Sequence, residues 1–469
     1  MGTTVLIYPH DAVVYPNIDL EKVNVCQSPI GLAYVAGFAR SKGHKVTMVD
    51  VRLYGSEWEA VLRRTLREQK PDLVGLYCLT PFFSTCSYLS RIVKEEAPYT
   101  KVVWGGPHPS VLAKETLAEC EYVDYCVCGE GEIPFSMLLD GAHPSTIPGV
   151  AYRENGTVVP NKTKSPSVRD LDAIPWPAYD LLPYKRYSFV MGGTTLTMIT
   201  GRGCPYTCTF CACDAVHVTG YRVRTVKDSV DEMEYYVKQM GISQFIFEDD
   251  TYTVNTKRAA AMSEEILRRK LDITWFCNSR VTGISLELLE LMKRSGCKLI
   301  FFGIESGNQE ILNAIEKRIE LKDAEETLVN CRKVGIRTYG LFIIGHPYES
   351  RESAMETINF AKSLPLDYAQ FSVLTPVPGA EVYEQAKRGE GLKSFAKHWD
   401  DYVFHGMPII ETPSLKREEI DQLRRLAYRQ FFLRPKYFLY KILKYDIVDL
   451  LYDARAALGI VGMMRPATV

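Results

Sequence analysis

One run of this 469-residue chain has the residue types and spacing for unusual chemistry: Gly201-Arg202-Gly203-Cys204-Pro205-Tyr206-Thr207-Cys208-Thr209-Phe210-Cys211. Three thiolates close together on one loop can hold three irons of a four-iron cluster. Ordinary electron-transfer clusters use four cysteines, so the missing fourth leaves one iron open to a substrate or cofactor. Two other readings stand beside it: a zinc site completed by Cys213 or His217, since structural zinc wants four closed ligands, and chance clustering. The chain holds 13 cysteines, an odd number that forbids complete pairing, and its first residues lack the basic region and apolar core of a secretory signal. A reducing cytosol is the expected compartment. Cys26, Cys86, Cys120, Cys277, Cys297 and Cys331 sit among apolar neighbours, where cysteine behaves as a small hydrophobe.

A loop of this kind must be presented by rigid elements, and the chain supplies two series of them. From Thr3 to about Asp140, short apolar runs (Val5 to Tyr8, Val46 to Val49, Leu73 to Tyr77, Lys101 to Trp104, Tyr125 to Cys128) alternate with amphipathic stretches, the pattern of an α/β doubly wound parallel sheet. Ligands of such sheets sit at the carboxyl ends of the strands, here the loops at 80–85, 105–110 and 129–132. Residues 141–190 are rich in Pro, Asn, Thr and Ser and read as a linker. A second series begins at Leu196, with strands expected at 196–200, 244–248, 273–278, 299–305, 337–344 and 369–374 and a helix between each pair. Six βα units with right-handed crossovers curl into a partial (β/α)6 barrel with its chemistry at the carboxyl-end face. The cysteine loop follows the first of these strands. From about Lys416 the chain turns helical.

Composition bounds the rest. With 56 Lys plus Arg against 57 Asp plus Glu the net charge is -1, so no global field draws the chain to nucleic acid. Hydrophobic content of 46% and charged content of 24% are those of an ordinary globular protein, and no apolar run of 18 or more residues predicts a spanning helix.

The cysteine loop in this setting resembles that of the radical S-adenosylmethionine enzymes, in the branch with an N-terminal cobalamin-binding domain, and the resemblance extends from about Val5 to Gly379. It implies that Cys204, Cys208 and Cys211 hold a four-iron, four-sulfur cluster, and that the amino and carboxylate groups of S-adenosylmethionine take the open iron. Reductive cleavage then gives methionine and a 5'-deoxyadenosyl radical, which removes a hydrogen atom from substrate. Phe210 resembles the family aromatic near adenine. The turn Phe247-Glu248-Asp249-Asp250-Thr251 stands where the family has Gly-Gly-Glu, and Asp250, then Asp249, matches the acceptor for the methionine ammonium. Glu305 and Ser306 lie in a segment similar to the one that bonds ribose and methionine, while Arg280 and Lys317 look like carboxylate or ribose partners. Gly340 to Glu349 and Thr375 to Gly379 resemble the strand ends that pack on adenine.

For the first domain the resemblance implies cobalamin. The DxHxxG signature of histidine-on cobalt is absent. Leu79 and Thr80, with Ser84 and Thr85, would face the corrin, and Gly105, Gly106, His108, Gly129 and Glu130 resemble contacts to the corrin amides and nucleotide tail. The implied division is a cobalamin-binding-like domain at 1–140, a linker at 141–190, a barrel at 191–385 and a mostly helical region at 386–469.

The expected reaction is methyl transfer to an unactivated carbon of an apolar or natural-product-like small molecule. One S-adenosylmethionine remethylates cobalt, a second supplies the radical, and flavodoxin or ferredoxin donates electrons. The alternatives are cyclisation, oxidation or rearrangement of a lipid or tetrapyrrole, and a non-catalytic cobalamin- or cluster-binding protein. Basic and aromatic residues mix from Leu423 to Pro435, as they do in interfacial helices, so peripheral contact with the inner face of a membrane is a further expectation. The competing reading of that segment is a helical cap whose aromatic stripe packs on the barrel.

Overall fold

The computed structural model describes residues 1–10, 26–160, 165, 167–189, 192–217, 220–435, 437, 441 and 444. Parts of the expected linker and most of the chain after 435 lie outside the described residues.

The first sheet has seven strands: β1 (Thr3–Tyr8), β2 (Lys45–Asp50), β3 (Leu73–Tyr77), β4 (Lys101–Gly105), β5 (Tyr125–Val127), β6 (Val150–Glu154) and β7 (Thr157–Val159), in the order β2-β1-β3-β4-β5-β6-β7. Strands β1 to β5 pair in parallel. Their apolar runs are continuous because both faces are covered. On one face Val5, Ile7, Val74, Leu76 and Trp104 pack against Leu62, Leu66, Leu89 and Ile92. On the other, Leu6, Leu73 and Val103 join a core with Leu32, Ala36 and Phe135. Strand order reverses between β1 and β3, so the crevice for a ligand opens there.

β6 and β7 fall within the span expected as a linker, 141–190. They form an antiparallel hairpin that extends the sheet beyond β5. The signal was in the sequence: Asn155 and Gly156 both have positive φ (50° and 80°), as a tight hairpin turn requires.

The second sheet holds six parallel strands: β8 (Leu196–Met198), β9 (Gln244–Phe247), β10 (Thr274–Ser279), β11 (Cys297–Glu305), β12 (Arg337–Ile344) and β13 (Tyr368–Val373), in sequential order from β8 to β13. The expected partial barrel is thus what forms. Several of its helices start on side-chain caps, Thr225, Asn255, Ser285 and Ser350, each accepting a backbone N–H of the first turn. No first-domain helix beginning at Ile30, Trp58, Phe83, Pro107 or Glu132 has such a cap, which leaves the N–H groups of those turns without a side-chain acceptor of that kind.

The C-terminal helix Arg417–Phe432 buries Ile420, Leu423, Ala427, Tyr428 and Phe431. Phe371 of β13 donates its backbone N–H to the Tyr428 hydroxyl at 3.1 Å and meets the Tyr428 and Phe431 rings at 5.4 and 6.2 Å. The aromatic stripe therefore packs on the barrel. The apolar area of those residues is buried within the fold. No helix among the described residues is long and apolar enough to cross a membrane.

Candidate active site

The cysteine loop leaves β8 and is pinned from several sides. Gly203 has φ +83°, and a Cβ there would lie 2.5 Å from the Gly220 carbonyl, so only glycine makes this turn. Its N–H donates to Asp250 at 3.0 Å, Thr209 N–H to Ile315 O at 3.1 Å, and Val382 N–H to Thr209 O at 3.0 Å. Each sulfur has a polar neighbour: Arg280 Nη1 lies 3.8 Å from Cys208 Sγ and Cys213 N 3.4 Å from Cys211 Sγ, both as donors, while Cys204 Sγ is 3.8 Å from Thr251 Oγ1, whose own hydrogen goes to the Asp250 carbonyl. Cys211 is exposed as a residue, yet the loop crowds its sulfur. That desolvation, with the neighbouring Cys208, Asp250 and Cys204 adding to it, pushes the thiol up to about 11. Cys213, His217 and Asp250 stand beside the loop with ligand atoms within 4.8 Å of one another.

The other barrel residues divide sharply. Asp249 is buried and accepts the Thr200 N–H and hydroxyl, both at 2.6 Å; it ties β9 to β8. Asp250 is the carboxylate that turns toward the cysteine loop. Glu305 ends β11 with φ +69°, rare for a residue with a side chain and typical of strained sites. It pairs with buried Lys317 at 2.7 Å, and a side chain at Gly303 would collide with both. Lys317 Nζ lies 5.8 Å from the Phe210 ring, which meets the His346 ring at 6.1 Å. His346 is fully enclosed, and burial lowers it to about 4, so it is neutral at pH 7. Arg280 is buried, lies over the Tyr206 ring at 3.8 Å and donates to the Lys317 carbonyl. Ser306 turns away, its hydroxyl 3.0 Å from Thr357 Oγ1 and accepting from Asn308 N–H at 3.1 Å. A cavity of about 190 Å³ runs from Phe210 and Glu305 past Leu341, Gln370 and Ser372 to Phe404.

At the carboxyl edge of the first sheet, Gly106 takes φ +100° and a Cβ on it would press on Cys78 O and the Tyr77 ring at 3.0 Å, whereas one at Gly105 would meet nothing within 4 Å. The backbone there faces open space. Thr80 Oγ1 lies 3.3 Å from His108 Nδ1, and His108 is boxed by Phe83 and Trp399 at 5.4 and 5.3 Å. Burial lowers this histidine to about 4 and leaves its Nε2 without a partner among the described residues. Leu79 and Thr85 are half-buried, and Ser84 is exposed with its N–H donating to Asp400 at 3.1 Å. Gly129 N–H donates to Ser110 Oγ at 2.9 Å.

Glu130 has a different duty. It pairs with Arg222 and, at 3.4 Å, with Arg202, which also meets Glu132 at 2.6 Å. Burial opposes the Glu130 charge, but the two arginines outweigh it and hold the carboxylate below its usual range. Arg202 follows β8 and Glu130 follows β5, so this cluster clamps the two sheets by their carboxyl ends. At the β1/β3 crevice Tyr8 and Tyr77 stack at 5.4 Å and Arg52 lies over Tyr8 at 4.2 Å. Arg52 donates to the Gln27 carbonyl at 2.8 Å, and the Gln27 amide donates to Glu248 at 3.0 Å, just past the end of β9. The ligand edge of one sheet therefore faces the ligand edge of the other. Sequence reading gave no role to Tyr8, Gln27, Arg52, Arg202 and Glu248, although Arg202 and Glu248 lie inside the quoted segments; Tyr8, Arg52, Arg202 and Glu248 share a position at or just past a strand's carboxyl end, and Gln27 has no such signal.

Two sheets so joined, one carrying a three-cysteine loop, define a two-cofactor α/β enzyme, and comparison with known proteins agrees. Residues 198–361 match the radical SAM superfamily and residues 16–139 the B12 binding domain. The chain is 35% identical over 412 residues to an uncharacterised methyltransferase of Pyrococcus horikoshii, covering 87% of this chain and 88% of that one. It is 28% identical over 426 residues to the anaerobic magnesium-protoporphyrin IX monomethyl ester cyclase of Rubrivivax gelatinosus, covering 89% and 76%. In fold it is similar to the radical S-adenosylmethionine methyltransferase TsrM of Kitasatospora setae, solved with cobalamin and a [4Fe-4S] cluster, with TM-score 0.76 at 18% identity over 98% and 99% of the two chains. The chain belongs to the cobalamin-binding radical S-adenosylmethionine enzymes.

Proposed function

We propose that this enzyme methylates an unactivated carbon of a small apolar molecule held between its two sheets. The observation that carries the reading is the carboxyl-edge to carboxyl-edge arrangement, with the cysteine loop on one side and the open Gly105 backbone on the other. The groups present fit the cofactors: of three sulfurs on one loop, two have an N–H donor to steady a thiolate, and the unpartnered His108 Nε2 suits an amide of a bound corrin. When bound, the cluster with S-adenosylmethionine supplies an electron and a radical source, and cobalamin a methyl carrier.

The chain's own residues then bind and orient. Cys204, Cys208 and Cys211 hold the iron, and Asp250 accepts the methionine ammonium beside them. Phe210 and His346 wall the adenine, while Lys317, fixed by Glu305, and Arg280 meet the carboxylate and ribose. Asp249 and Ser306 act behind this layer by fixing the strand ends. In the first domain Leu79, Thr80, Ser84, Thr85, Gly105, Gly106, His108 and Gly129 face the corrin; Glu130 keeps that edge in place through its arginines. The working division is 1–140 for cobalamin and 191–385 for the barrel, with a small electron-transfer protein of the flavodoxin or ferredoxin kind as reductant.

Anaerobic reconstitution with iron, sulfide and cobalamin, followed by reduction and labelled S-adenosylmethionine, tests the reading. The expected result is one S-adenosylhomocysteine and one 5'-deoxyadenosine per methylated product, with two electrons consumed. Label confined to S-adenosylmethionine in an iron-loaded, cobalamin-loaded protein, across candidate substrates, would count against it. Similarity to the cyclase favours a second reading, ring closure without methyl transfer, which would give 5'-deoxyadenosine and no S-adenosylhomocysteine.

A further inference from the structure

The barrel lumen has a lower and an upper chemistry. Ile246, Phe276 and Leu299 form an apolar cluster with Phe189, on which Phe301, Tyr339 and Tyr368 pack. Side chains two apart on a strand share a face, so the residues following Ile246 and Phe276 on the lumen side are Glu248 and Asn278. The strand register places Asn278 opposite Phe301, Phe301 opposite Tyr339 and Tyr339 opposite Tyr368. Phe301 and Tyr339 lie 5.0 Å apart, Tyr339 and Tyr368 stack at 5.8 Å, and Leu341 and Gln370, one step further up, border the cavity that reaches Phe210. A polar corner thus meets an aromatic wall below the cluster loop.

Among the described residues, Glu248 differs from the ion-paired deep carboxylates in having no cation, and from Asp249 and Glu349, which also have none, in not being closed over. Asp50 has Arg52, Glu132 has Arg202, Glu232 has Arg224, Glu305 has Lys317 and Asp421 has Arg424. Glu248 has no ion-pair partner among the described residues; its contacts are the amides of Gln27 and Asn278. Burial raises its carboxyl above the usual range against those two bonds, and the Asp249 and Asp250 charges add to the rise. It is nevertheless only half-buried, at the point where Gln27 of the first domain reaches it. A carboxyl placed deep, left without a cation and not packed over is completed by a donor from elsewhere.

We propose that Glu248 is the specificity-determining residue for substrate: the molecule is apolar, seats a ring or hydrocarbon body against Phe301 and Tyr339, and presents a cationic amine or N–H donor to the Glu248 carboxylate. This rests on the functional reading above, because it takes the space between the sheets to be the substrate's. A site built around a lone carboxylate accepts the donor and rejects the anion of the same shape.

The test uses the reconstituted holoenzyme with S-adenosylmethionine and three probes of one shape, phenethylamine, 2-phenylethanol and phenylacetate, with affinities by calorimetry. The expected order is amine over alcohol by at least about tenfold, with phenylacetate weakest. Glu248→Gln, an isosteric change, should bring amine and alcohol within about threefold of one another, and Glu248→Lys should favour phenylacetate. Equal affinities in the wild-type protein, or no saturable binding of any probe, overturn the inference, as does an amine preference that survives Glu248→Gln. Release of 5'-deoxyadenosine from the same wild-type sample separates the two levels. Cleavage without amine preference sinks this inference alone, whereas an iron-loaded protein that never cleaves sinks the reading beneath it.

Discussion

On the reading proposed above, the cysteine loop and the corrin-facing edge do comparable work by opposite means. The first gathers three ligands within eight residues, 204 to 211, so chain connectivity alone brings the sulfurs together. The second assembles 79–85, 105–108 and 129–132, which only the parallel pairing of β3, β4 and β5 brings side by side. Local sites tolerate a shift of the surrounding sheet but not the loss of one member. Assembled sites tolerate the loss of a single contact but depend on every turn that aims the loops.

Substitutions can break this contrast, beginning with the most damaging. Cys208→Ala should reduce iron content and lower 5'-deoxyadenosine release by more than ~100-fold, beyond the 10- to 100-fold of typical outer contacts. A variant that kept both would show that another donor, such as Cys213, serves the iron.

Next is a pH effect in the barrel half. Glu349 is fully enclosed, and burial pushes its carboxyl up to about 8 against the bonds from Gly345 and His346 N–H. Its folded value exceeds its unfolded one, so between about pH 4.5 and 8 the native state holds a proton that the unfolded state has lost. Stability should fall through that window, with a ceiling of roughly 5 kcal/mol above pH 8. Glu349→Gln should flatten the curve in urea unfolding and gain most at pH 8.5; equal gains at pH 4 and 8.5 would contradict the assignment.

Third comes the clamp between the halves. Arg202→Met leaves Glu130 with one arginine and Glu132 with none, and should cost ~3–5 kcal/mol, read as a lower urea midpoint. Adding Glu132→Gln should recover part of the loss, whereas no recovery would place the cost in packing of the Arg202 stem.

The smallest effect belongs to the assembled edge. Gly106→Val forces a branched residue into φ +100° against Tyr77, a strain of ~1–3 kcal/mol. Cobalamin retention should weaken about tenfold or more while the protein still takes up iron and cleaves S-adenosylmethionine. Parallel loss of both cofactors would mean that the two regions are less independent than their construction suggests.

Much of this was legible in advance. The alternation of apolar runs and amphipathic stretches gave both sheets; of the expected strands only β3 and β12 agree at both ends, the others being off by a residue or two because strand termination depends on the neighbouring strand. The hairpin of β6 and β7 went unread although Asn155-Gly156 marked it, since Pro-rich flanks dominated the window. The aromatic residues of 417–432 read two ways, and only the presence of β13 beside them settled where the apolar stripe goes. Cys204, Cys208 and Cys211 stood out by their spacing together with the expected strand before them, because ligands this close in sequence are brought together by chain connectivity.

Sequence by itself therefore determined the order of the two α/β units and singled out the cysteine trio proposed to hold iron, both of which rest on local periodicity and short-range connectivity. Tertiary structure decided which of two adjacent aspartates faces the site, that Glu130 spends its charge on Arg202 and Arg222, and that Glu248 has no cation. Adjacent side chains on a strand point to opposite faces, and the partner a charge finds comes from whatever distant segment packs there. For Glu248 that segment was Gln27, 221 positions away.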